Sequence, residues 1–104
     1  MKIISTEFWC IDGSIEIFHD YFILETKIDT STQYTYVMFS QIYFLQLHNC
    51  NNFTSPLSSI EINMKNSIIL QYLPENKIYF TSFKACKFVF DKLFTAYQKY
   101  QNDT

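Results

Sequence analysis

The sequence predicts an α+β fold. Seven or eight short, mainly antiparallel strands form a barrel or sandwich, closed by one C-terminal amphipathic helix. Three observations carry this. Apolar and polar residues alternate at a period of two through much of the chain before Thr81, the mark of half-buried strands. Turn-forming residues break that alternation into short runs. After Thr81 the period changes to 3.6 and holds to Tyr100.

Phe8 to Ile11 reads as the first strand, followed by Asp12-Gly13, a strong hairpin signal. Gly13 is the only glycine of the chain, and glycine takes a left-handed turn conformation without strain. Ile15 and Ile17 then alternate with Ser14 and Glu16 as a second strand, and His19-Asp20 forms a tight turn. Tyr21 to Ile28, rich in aromatic and branched residues, is a third strand, and Asp29 to Thr32 a polar loop. Gln33 to Phe39 is a fourth strand, with Tyr34, Tyr36 and Met38 on one face and Thr35, Val37 and Phe39 on the other. Ser40-Gln41 bends the chain into a fifth strand, Ile42 to His48.

Asn49 to Leu57, with consecutive asparagines and Pro56, is the longest loop. Ile60 to Met64 is a sixth strand, Lys65-Asn66-Ser67 a turn, and Ile68 to Leu73 a seventh strand. Pro74-Glu75-Asn76 turns the chain again into Lys77 to Thr81. In the helix, Ser82 to Tyr100, the residues Phe83, Cys86, Phe90, Leu93 and Tyr97 form an apolar stripe flanked by Val89, Phe94 and Tyr100. Lys84, Lys87, Asp91, Thr95 and Gln98 lie opposite. Thr81 or Ser82 caps the first turn, and Gln101 to Thr104 are expected to fray.

The 104 residues make one domain, with strands expected within 8–81. At 12.5 kDa the folded surface should be roughly 6,200 Å² against roughly 18,000 Å² unfolded, enough burial for a core without metal or disulfide staples. The three cysteines, Cys10, Cys50 and Cys86, fit no zinc spacing and read as reduced thiols, so a cytoplasmic protein is expected. Ser5, Thr6 and Glu7 interrupt any apolar run at the start, so no signal peptide is expected. No stretch reaches the length of a membrane span.

The formal charge is −2, from eight lysines and ten acidic residues, with no arginine. That balance argues against a nucleic-acid footprint and against bidentate phosphate recognition. The abundance of Ile, Phe, Tyr, Lys and Asn beside absent Arg is the signature of AT-rich coding.

Two segments carry a family resemblance. Val37-Met38-Phe39-Ser40-Gln41-Ile42 has a strand, a polar bend before Ile and a further strand. Ile78-Tyr79-Phe80-Thr81-Ser82 leads into Phe83-Lys84-Ala85, an apolar-aromatic strand running into a helix that begins near an alanine. Both are similar to segments of the pleckstrin-homology-like superfold, with its GRAM and bacterial variants. The resemblance spans residues 8–100 and implies protein recognition through a sheet edge or the helix. Phosphoinositide-binding members carry basic residues around the first hairpin. Here that position has Asp12-Gly13, with Glu16 and Asp20 following, which speaks against a headgroup site.

Candidate chemistry is sparse. His48 and Cys50 stand two apart and form, with Cys10, the one conceivable Cys–His pair. His19, Asp20, His48 and Cys50 are the conceivable metal ligands, at spacings matching no known set. Glu7, Glu16, Glu25 and Glu61 are dispersed, and no Gly-rich loop exists to hold a phosphate or oxyanion. Lys84, Lys87, Lys92 and Lys99 make the helix mildly basic.

The expectation is therefore a non-enzymatic interaction module with no cofactor, acting by binding a protein partner. With eleven Phe and eight Tyr the chain has aromatics to spare for its surface. The candidate partner-binding residues are Phe53 at the tip of the long loop with Asn51, Asn52 and Leu57, and Tyr34 and Tyr36 on an aromatic strand face. A second copy of the chain is the simplest partner. Size and codon bias point to an accessory protein of a phage or mobile element that inhibits a host enzyme or defence system. The alternatives are a lipid- or nucleic-acid-binding domain and a small Cys/His enzyme.

Overall fold

The computed structural model describes residues 2–5, 12–49 and 58–103. Among these the order is β1 (Lys2–Ser5), β2 (Asp12–Ile17), β3 (Tyr21–Ile28), β4 (Ser31–Met38), β5 (Ile42–Asn49), β6 (Ser58–Met64), β7 (Lys77–Phe80) and α1 (Phe83–Asn102). Single 3₁₀ turns stand at Phe39–Gln41, Lys65–Ser67 and Pro74–Asn76. The fold is α+β, as expected. Strands β1-β2-β3-β4 form one antiparallel sheet and β5-β6-β7 a second. No pairing joins the two sheets among the described residues, so they do not close into a barrel.

Alternation builds the core. Ile15, Ile17, Phe22, Leu24 and Val37 point inward from the first sheet, and Leu45, Ile60, Ile62, Ile78 and Phe80 from the second. Helix α1 packs on β5, β6 and β7 and adds Cys86, Val89, Leu93 and Tyr97 at steps of three and four. Lys84, Lys87, Asp91, Thr95 and Gln98 are exposed on the opposite face, as expected. The inner stripe is rotated from the expected one: Val89 is buried, Phe83 is exposed and Phe90 is half-buried. The Ser82 side chain accepts from Ala85 N at 3.2 Å and caps the first turn. Tyr97 fixes the far end, donating its hydroxyl to Ile42 O at 2.9 Å, where β5 leaves the Phe39–Gln41 turn. The folded chain exposes 6571 Å², close to the area expected from its mass.

Three expectations are corrected, and a fourth lies outside the described residues. Asp12 and Gly13 are not a hairpin tip: both lie in β2, where Gly13 is paired with Ser5 on one side and Thr26 on the other and has no positive φ. Longer-range pairing overrides the local turn signal. Ile3 opposite Ile15 and Lys2 opposite Glu16 match β1 to β2. The expected strand Phe8–Ile11 lies outside the described residues, and β1 begins earlier, at Lys2.

Ile68 to Leu73 is not a strand. Leu70 and Leu73, three apart, are both buried, and Ile69 is 85% exposed. The Asn76 carboxamide accepts from Leu70 N and donates to Ile68 O, both at 2.9 Å, taking the backbone groups a neighbouring strand would pair. The helix also does not fray at Gln101. It continues to Asn102, and Asp103 N bonds Lys99 O at 3.0 Å.

The His19-Asp20 turn holds as expected, closed by Phe18 N donating to Tyr21 O at 2.8 Å, whereas Ser31 and Thr32 of the expected Asp29–Thr32 loop lie in β4. The 65–68 and 74–77 turns carry pairs of residues in the left-handed region, Asn66-Ser67 and Glu75-Asn76. Ile68 N donates to Lys65 O and Lys77 N to Pro74 O, the arrangement of primed β-turns.

Candidate interaction face

The outer surface of the four-stranded sheet is built by the same alternation that fills the core. With Thr35 and Val37 inward, Tyr34, Tyr36 and Met38 must face out, and they are 48%, 62% and 41% exposed. The β3–β4 register sets Ile23 opposite Tyr36, Glu25 opposite Tyr34 and Tyr21 opposite Met38. Next inward, Glu16 on β2 is opposite Ile23. Phe18 stacks on Tyr21 with ring centroids 4.7 Å apart and extends the aromatic surface to the β2–β3 turn. The result is a row of apolar and phenolic groups with carboxylates along one side. Tyr34 and Tyr36, expected to meet a partner, stand in its outermost strand.

Strand β4 is the last of its sheet. Phe39 N donates to Asp20 O at 2.9 Å, which fixes the hydrogen-bonding parity of the pair. Odd-numbered β4 residues bond β3, and the N–H and C=O groups of Thr32, Tyr34, Tyr36 and Met38 point to the open edge. On the inner side the Thr35 hydroxyl donates to Gln71 O at 2.7 Å and ties the 68–73 segment beneath β4.

Of the other candidates, Asn51, Asn52, Phe53 and Leu57 lie outside the described residues, as do Cys10, Cys50 and Glu7. His48 is on β5, its Nε2 2.7 Å from Glu61 Oε1, both side chains half-buried. His19 is far from it in the chain and exposed. Its Nδ1 is 2.6 Å from Asp20 Oδ1 and its Nε2 3.3 Å from Asp103 Oδ2. The Asp20 hydrogen bond foremost, then that of Asp103, raises the imidazole above its ordinary pKa. No group of three His, Cys, Asp or Glu side chains that could hold a metal occurs among the described residues. Cys86 is buried under the helix, and burial pushes its thiol up to about 12, so it stays protonated.

On the helix, Lys87 pairs with Asp91 at 2.9 Å, and the Lys92 ammonium lies 5.5 Å from the Phe88 ring centroid. A surface hollow of about 340 Å³ beside Tyr97 is walled by Phe39, Ile42 and Tyr100, with Lys65 at its rim. Among the described residues its walls carry no carboxylate or imidazole. Among the described residues no helix is long and apolar enough to cross a membrane.

Two features escaped the sequence reading. The contact of Asp103 with His19 joins positions 84 residues apart, for which no local signal exists. The exposed Ile69 and the left-handed Tyr72 of the 68–73 segment follow from the primed turns beside it. Asn66 and Asn76, residues that tolerate the left-handed region, were the available signal. Comparison of the chain with family models, with curated proteins and with solved structures finds no match.

Proposed function

We propose that this chain is a non-enzymatic protein-binding module that uses the outer face of its four-stranded sheet. The observation that carries the reading is the exposed row Tyr34, Tyr36 and Met38, flanked by Ile23 and Tyr21. Large apolar side chains grouped on one sheet face are the composition of a contact surface. Tyrosines lose little conformational entropy on docking and bring both area and a hydroxyl. The order of four strands, three strands and a terminal helix is compatible with the pleckstrin-homology-like resemblance, which implies a protein partner at a sheet edge or the helix.

A protein that acts by occupancy needs only this surface. Inhibition of a host enzyme by a small phage or mobile-element protein is the form that the codon bias favours. The test is co-purification from the native cell, read by mass spectrometry, with wild type and a Tyr34→Ser/Tyr36→Ser double variant. Loss of a specific partner by the variant, at unchanged thermal stability, is the expected outcome. A partner held equally well by both proteins would refute this face as the binding surface.

A further inference from the structure

We infer that β4 pairs with β4 of a second copy, antiparallel about a two-fold axis through Thr35, making one continuous eight-stranded sheet. The inference deepens the protein-binding reading above and rests on it. Three observations carry it.

The first is the edge. The segment Ser31–Met38 is eight residues long and contains no charged residue and no proline, the side-chain devices that keep sheet edges from pairing. Among the described residues its outward backbone groups meet no other strand.

The second is parity. Only even-numbered residues present N–H and C=O to the open edge, so a second copy must pair even with even. The register that uses all four sets Thr32 opposite Met38 of the second copy, Tyr34 opposite Tyr36, and the converse of each. Every outward donor and acceptor of the strand is then satisfied.

The third is the side chains this register brings together. Directly opposed residues share a face, so two Tyr34–Tyr36 aromatic pairs form on the outer surface. Thr35 meets its own copy on the inner side, with its hydroxyl already committed to Gln71 O. No like charges oppose along the seam, because the strand carries none.

The area sets the strength. With about 200 Å² per large side chain, the exposed fractions of Tyr34, Tyr36 and Met38 sum to about 300 Å² per copy. Even doubled and with the strand edge added, this stays below the roughly 1,200 Å² of a standard interface. The dimer is therefore weak and concentration-dependent.

Sedimentation equilibrium from micromolar to millimolar protein, with amide hydrogen exchange on the same samples, tests it. The expected mass rises from 12.5 kDa towards twice that value. Over the same range the amides of Thr32, Tyr34, Tyr36 and Met38 slow about tenfold or more, while those of Gln33, Thr35 and Val37 are protected throughout. Tyr34→Pro, which removes an edge N–H and no bond to β3, abolishes the rise. A chain monomeric at every concentration, or a dimer whose even-numbered β4 amides exchange as in the monomer, overturns the inference. A persistent monomer that still loses a cellular partner through Tyr34→Ser/Tyr36→Ser overturns self-pairing alone and leaves the protein-binding reading standing.

Discussion

Removing one oxygen atom tests how the helix is locked to the second sheet. In Tyr97→Phe the ring still fills its place against Phe39, 6.1 Å away between centroids, and only the hydroxyl is lost. That hydroxyl donates to Ile42 O at 2.9 Å, lies 3.2 Å from Tyr43 O, and accepts from Gln101 Nε2 at 3.1 Å. Stranding a buried carbonyl costs about 1–3 kcal/mol. The hollow beside Tyr97, also lined by Ile42, admits water that can bond the freed oxygen, which places the loss at the low end, about 1 kcal/mol. For a domain of this size that is a fall in Tm of about 4–8 °C. Tyr97→Ala also removes the packed ring and should cost about 3–5 kcal/mol. Urea unfolding followed by circular dichroism measures both, with the Phe variant expected to keep the wild-type m-value. A Phe variant as stable as wild type, or as damaged as the Ala variant, would refute the assignment of the lock to this hydroxyl.

Three further outcomes follow from other contacts. The raised pKa of His19 means that its contacts with Asp20 and Asp103 contribute stability below the unfolded value of 6.5, lost as pH rises through the folded one. NMR titration of the ring should show the upward shift and its partial loss in Asp103→Asn, whereas an unchanged titration would dismiss the turn–helix contact. Cys86, lifted from 9.0 to about 12, stays a thiol in the folded state while the unfolded thiol ionises. Its contribution to stability is complete below pH 9 and declines from there to about 12, so Cys86→Ala should flatten the alkaline fall in the urea midpoint. Asn76→Ala deletes both bonds to Ile68 and Leu70 and should cost about 2 kcal/mol. Hydrogen exchange at Leu70 reads it directly, and an unaltered rate there would show that the carboxamide does not hold the segment.

Where the sequence was legible, side-chain period matched burial. Tyr21–Ile28, rich in aromatic and branched residues, folds as that strand with its burial alternating, and the polar stripe of the helix is exposed as read. The faces of β4 were legible for the same reason, which is why Tyr34 and Tyr36 could be nominated from composition alone. Legibility failed where a local signal met a distant competitor. Asp12-Gly13 has hairpin chemistry, but the match of Ile3 to Ile15 draws it into a strand. Ile68 to Leu73 looks apolar enough for a strand until Asn76 takes its backbone bonds. The open edge of β4 depends on strand order, which no single segment encodes.

The chain's lone glycine sits in a strand, while among the described residues six left-handed positions are occupied by Asp29, Asn66, Ser67, Tyr72, Glu75 and Asn76. Asparagine and aspartate bear that conformation readily, whereas the others cost about 1–2 kcal/mol each. Torsional strain is thereby held at Tyr72 and Glu75, where a glycine would relax the native state.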